Sequence, residues 1–80
     1  MDVKLLCKEE MRISIDEYFP NASITEKEDG NFLFHFRAPN NEIGWKGLLF
    51  SFANNIKIIE PDELIKEFLM KAEEIIASYK

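Results

Sequence analysis

Phe32-Leu33-Phe34-His35-Phe36-Arg37 is the stretch on which the fold turns. Its aromatic rings recur at every second position and alternate with Leu33, His35 and Arg37, the period of a half-buried strand. Just before it stands Asp29-Gly30, a hairpin signal because both residue types accept positive φ. That makes Ser23–Glu28 the candidate for the preceding antiparallel strand. Just after it, Ala38-Pro39-Asn40-Asn41 ends the strand and offers an N-cap for a helix running to about Phe52.

Working outward, Val3, Leu5 and Cys7 alternate with Lys4, Leu6 and Lys8 and form a short first strand. Glu9 to Phe19 is predicted helical, with Met11, Ile15, Tyr18 and Phe19 on one face. Glu9 and Glu10 suit the positive end of its dipole, and Pro20 stops it. Gly44 and Gly47 fall inside the second helix at a cost of about 1 kcal/mol each relative to Ala. Close approach of that helix to the sheet is the expected return. Asn54-Asn55 suits a left-handed helix end, Ile56 to Ile59 form a strand, and Pro61 sits at a helix start. In the last segment Leu64, Phe68, Ala72, Ile75 and Tyr79 make one stripe flanked by Ile65, Leu69 and Ile76, wide enough for a core or a partner to grip. The order is β-α-β-β-α-β followed by an extra helix. This is an α+β, ferredoxin-like arrangement: a four-stranded antiparallel sheet with an additional C-terminal helix, one domain over residues 1–80.

Eighty residues allow one domain at most, and 46% apolar content with a net charge of −5 excludes disorder. No apolar run reaches the roughly 20 residues of a membrane span, and Met1-Asp2-Val3-Lys4 lacks the form of a signal peptide. The single Cys7 excludes an internal disulfide and fits a reducing, cytoplasmic location. The acidic average argues against a dedicated nucleic-acid binder, but alternation redistributes the charge. Val3, Leu5, Cys7, Ile24, Phe32, Phe34, Phe36, Ile56 and Ile58 should face the helices. The opposite parity holds Lys4, Leu6, Lys8, Ser23, Thr25, Lys27, Leu33, His35, Arg37, Lys57 and Ile59, a basic face with an aliphatic centre and no acid. Lys4, Lys8, Lys27, His35, Arg37 and Lys57 are therefore the candidate contacts for an anionic effector or a partner domain. Solvating lysines on an open sheet are the bland alternative. Leu6, Leu33 and Ile59 favour docking, since three bare aliphatics would make an exposed patch. Trp45, Leu64, Phe68 and Ile75 are candidate interface residues. Trp45 could equally cap the core beside Phe52, and the last helix could cover the sheet face.

Enzymatic chemistry finds little support. One Cys and one His cannot supply a zinc site, which takes about four ligands, so no metal or other cofactor is expected. Cys7 and His35 fall on opposite faces, which disfavours a nucleophile pair. Gly44-Trp45-Lys46-Gly47 imitates a phosphate loop but lies in a helix. The segment after the first strand, Lys8-Glu9-Glu10, is charged and lacks the glycines of a phosphatase anion loop. The three Phe residues of the central strand sit on the wrong parity for RNA stacking. The chain is expected not to be an enzyme.

Further motifs in order along the chain are Glu17-Tyr18-Phe19-Pro20, Asp29-Gly30 before Phe32, Ala38-Pro39, and Trp45 with Leu48-Leu49. After them come Ile56-Lys57-Ile58-Ile59-Glu60-Pro61-Asp62-Glu63-Leu64 and a final Tyr79. Together they resemble the C-terminal extension, or WCX domain, of bacterial WYL-domain transcriptional regulators of the winged-helix, DeoR-like type. Asn54-Asn55 stands where that family usually has a glycine-containing turn. The resemblance implies a module excised from the C-terminus of a longer regulator, preceded by a winged-helix domain and a WYL domain. It further implies a homodimer in the full-length protein, and a contribution to sensing an effector, in some cases single-stranded DNA. The Trp-Tyr-Leu triplet that names the family belongs to the preceding domain, so no effector-binding residue carries over. The alternative is a free-standing small-molecule sensor of the amino-acid-binding type on the same strand order.

Overall fold

The structure, a computed structural model, describes residues 1–27 and 29–80. The elements are β1 (Asp2–Cys7), a 3₁₀ turn (Glu9–Met11), α1 (Arg12–Tyr18), β2 (Ser23–Glu26), β3 (Phe32–Arg37), α2 (Gly44–Ser51), a second 3₁₀ turn (Ala53–Asn55), β4 (Ile56–Glu60) and α3 (Asp62–Ser78). The sheet order is β2-β3-β1-β4, with every neighbouring pair antiparallel. This is the ferredoxin-like order with one added helix, as the element pattern predicts. The far end of the expected second strand, Glu28, lies outside the described residues.

Alternation sorts the faces as expected. Val3, Leu5, Cys7, Phe32, Phe34, Phe36 and Ile56 are buried with Met11, Ile15, Leu49 and Leu64, while Ile24 and Ile58 pack against that core. An aromatic column runs through it. Phe19 meets Phe34 edge-on at 5.6 Å and Phe36 at 4.6 Å, and Phe36 meets Trp45 edge-on at 5.7 Å. Offset and edge contacts of this kind suit the ring quadrupoles. Gly30 takes φ +88 in the hairpin, where Asp29 Oδ1 accepts from the Asn31 N–H, as the Asp-Gly signal requires.

Four local expectations are corrected. The first helix begins as a 3₁₀ turn; at its other end Phe19 leaves helical geometry at φ −134, ψ 64, the stop that Pro20 predicts. Its ring therefore turns into the core while Tyr18 stays 54% exposed. The second helix starts at Gly44, not at the Asn40-Asn41 step, and no side chain caps it. The left-handed residue after it is Ala53, φ 53, not Asn54 or Asn55. An L-residue with a Cβ pays about 1 kcal/mol or more for that conformation. Finally, a Cβ added at Gly44 or Gly47 would meet nothing within 4 Å, so neither glycine permits a close approach. Gly47→Ala is accordingly expected to stabilise the fold by about 1 kcal/mol, because it removes only the glycine backbone-entropy cost. Urea denaturation checks this, and a loss of stability would show that the helix face is packed.

The C-terminal helix docks on the helix side of the sheet. Leu64 is fully buried in the core, Phe68 packs against it and meets Phe50 of α2 edge-on at 5.3 Å, and Lys46 pairs with Glu67 at 3.0 Å. From Leu69 onward only Ala72 is better than exposed. Leu69, Met70, Ile75, Ile76 and Tyr79 all stand in solvent.

Candidate functional site: the open sheet face and its margin

With both helices of the split βαβ unit and α3 on one side, the other side of the sheet is bare. Its side chains fall into rows set by strand register. One row is Ser23, His35, Lys4, Glu60 and the next is Thr25, Leu33, Leu6, Lys57. Arg37 stands opposite Asp2 at the upper end. A depression of about 440 Å³ on this face is lined only by sheet residues, namely Asp2, Lys4, Ser23, Thr25, Leu33, His35 and Glu60. Leu6 and Leu33 are half-buried by their row neighbours.

Lys4, His35, Arg37 and Lys57 stand on this face as alternation predicts. Lys8 follows β1 directly and Lys27 follows β2 at the hairpin end, both exposed. The expectation that the face carries no acid is corrected. Asp2 pairs with Arg37 Nε at 3.0 Å, and Glu60 lies 4.0 Å from the Lys4 ammonium. Glu60 reaches this face because the β1–β4 register shifts between Lys4 and Leu5, leaving Ile59 as an extra residue with no partner in β1. A bulge moves every later residue of its strand to the opposite face, which no alternation count can see. The face is thus divided. Charges are paired at the Asp2–Glu60 end, and Lys57 stands beside Leu6 and Leu33 at the other.

Of the four candidate interface residues, Trp45 is half-buried against the core. Its indole N–H donates to the Pro39 carbonyl at 2.8 Å, and its ring partner is Phe36, not Phe52. Leu64 is wholly enclosed in the chain's own core and leaves the set. Phe68 is half-buried between the core and Phe50, and Ile75 remains 43% exposed.

Cys7 faces the helices, opposite in parity to His35, and is buried. Burial pushes its thiol up from 9.0 to about 12, since a thiolate among Val, Leu and Phe side chains has no water to stabilise it. Folded protein at pH 8 is expected to resist Ellman's reagent until unfolded, because the thiolate is the nucleophile. The linkage has a definite sign. The unfolded chain loses this proton near pH 9 and the folded chain only near 12, so this contribution to stability is complete below pH 9 and is lost between those values. Equal modification rates in native buffer and in urea would contradict the burial. Among the described residues no cluster of three or more His, Cys, Asp or Glu side chains is arranged to hold a metal ion. No described helix is long and apolar enough to cross a membrane.

One margin of the sheet carries a separate cleft of about 480 Å³. It is lined by the turn from Tyr18 through Ser23 and by His35, Phe36 and Arg37. Sequence reasoning missed it, because it arises where β2 stops at Ser23, opposite His35, while β3 continues to Arg37.

A four-stranded β2-β3-β1-β4 antiparallel sheet, helices on one side and the other side bare, defines a ferredoxin-like module. The family model of the WCX domain matches residues 1–76, nearly the whole chain, and the protein belongs to that family. WCX domains are C-terminal modules of WYL-type regulators. No curated protein matches the chain in sequence.

Proposed function

We propose that this chain is the C-terminal regulatory and dimerisation module of a bacterial WYL-type transcriptional regulator, cytoplasmic and without enzymatic activity of its own. In this reading a winged-helix domain and a WYL domain precede it in the same polypeptide, and the full-length protein is a homodimer. The bare sheet face is the observation that carries the proposal. A sheet side with Leu6 and Leu33 at its centre and Lys57 beside them is suited to lie against another domain or an anionic effector. The cations Lys4, Lys8, Lys27, His35, Arg37 and Lys57 are the residues through which a single-stranded nucleic acid or a similar polyanion would be held. Asp2 and Glu60 partly offset the charge of Arg37 and Lys4, so the Lys57 end contributes most and Arg37 contributes through the part of its guanidinium that Asp2 does not engage.

The test titrates full-length protein with labelled single-stranded oligonucleotides at several salt concentrations. Phosphate contacts predict an affinity that falls steeply with salt, by about 0.7 logarithmic units per contact for each tenfold rise. The pair Arg37→Glu and Lys57→Glu is expected to weaken oligonucleotide binding or dimerisation by at least about tenfold. If both survive unchanged, the face is merely solvated.

A further inference from the structure

We propose that the cleft at the β2–β3 margin is a binding site for a small organic carboxylate with an apolar body. Its floor is aromatic. Phe19 and Phe36 lie with ring centroids 4.6 Å apart, and Phe36 is held from behind by Trp45. Its rim is polar, formed by His35, Arg37, Ser23, Asn21 and Tyr18, and among the described residues no acidic side chain lines it, the nearest to Arg37 being its partner Asp2. In a chain with fifteen acids and ten Lys and Arg residues, a concavity whose one charged lining residue is an Arg favours an anion over a cation, although Asp2 offsets part of that charge from the β1 side. The volume falls within the range of small-molecule sites, which pair apolar walls with a few convergent polar groups.

The backbone adds a further pair of polar groups. The Ala38 N–H donates to the Met1 carbonyl on the β1 side. Successive residues of a strand direct their N–H and C=O groups to alternate sides, so those of Arg37 point towards the β2 side. There β2 has already ended, and the cleft takes its place. The Arg37 side chain is 81% exposed, and its contact to Asp2 engages Nε, leaving the two terminal nitrogens of the fork for a carboxylate. Asp2 thereby orients the guanidinium. A carboxylate on Arg37, with its apolar body lying over Phe19 and Phe36, satisfies both halves of the site.

His35 and Arg37 also belong to the sheet face, so the proposal deepens the regulatory reading by naming a ligand class at its margin, and it rests on that reading only to this extent. The test follows amide shifts of the ¹⁵N-labelled 80-residue chain during titration with sodium benzoate, and with benzyl alcohol as the neutral counterpart, at constant ionic strength. Saturable shifts are expected at residues 18–23 and 35–37 with benzoate, and at least about tenfold weaker binding of benzyl alcohol. Loss of a charged hydrogen bond predicts that Arg37→Gln lowers benzoate affinity about tenfold or more, with His35→Gln as a second variant. Lys57→Glu, on the opposite edge strand, is expected to leave benzoate binding within about twofold while weakening oligonucleotide binding, which separates failure of this proposal from failure of the regulatory one. Spectral dispersion reports folding of each variant in the same experiment. Absence of saturation, equal binding of benzyl alcohol, shifts centred on Leu6, Leu33 and Lys57, or indifference to both cleft variants would overturn the proposal.

Discussion

Phe34→Ala is expected to remove most of the stability of this domain. Phe34 is fully buried on the central strand β3, between Phe19 at 5.6 Å and Phe36 at 5.3 Å. Truncating such a ring costs about 3–5 kcal/mol, transfer and cavity terms together. A domain of this length has roughly 4–12 kcal/mol in total. At about 4–8 °C per kcal/mol the melting temperature should fall by about 12 °C or more. Leu33→Ala, one residue away on the bare face, removes a half-buried side chain and should cost clearly less. The comparison is a register test, since a slip of one residue would invert the order of the two effects. Urea midpoints for the pair decide it, and a larger loss for Leu33→Ala would place the core on the wrong side of the sheet.

Leu64→Ala should cost about 2–5 kcal/mol, while Ile75→Ala should stay within about 0.5 kcal/mol. Both residues lie on the same apolar stripe of α3, three turns apart, and sequence alone treats them alike. Leu64 is sealed in the core, whereas Ile75 is 43% exposed on the part of α3 that runs past it. The helix is held by its first two turns: Leu64 in the core, Phe68 against Phe50, and Glu67 on Lys46. Thermal denaturation at several protein concentrations provides the check. A cost for Ile75→Ala comparable with that of Leu64→Ala, growing with concentration, would mean that the distal stripe is buried between chains in solution.

The parts of the fold legible in the sequence are those governed by short-range periodicity. Phe32, Phe34 and Phe36 identify β3 to the residue, Asp29-Gly30 identifies the turn, and the parity of Val3, Leu5, Cys7, Ile56 and Ile58 identifies the core face. The candidate cations were legible in the same way, because side-chain direction in a strand has period two. Of their counter-charges, Asp2 shares the parity of Lys4 in β1 and follows the same rule, whereas Glu60 does not. Glu60 joins the bare face only through the register shift opposite Lys4 and Leu5, and one inserted residue leaves no trace in composition or alternation.

The sequence by itself therefore determined the element order, the Asp29-Gly30 turn, the core parity and the family, since each is written in local spacing or in the succession of motifs. Only the tertiary structure decided where α3 lies, that Glu60 reaches the sheet face, and that β2 ends two residues short of β3 to open a cleft beside Arg37. The reason is the same in each case. Helix docking, bulges and strand ends are settled by competition between surfaces far apart in the chain. The apolar stripe of α3 would have suited either side of the sheet until Phe50, Phe68 and Leu64 closed on one of them.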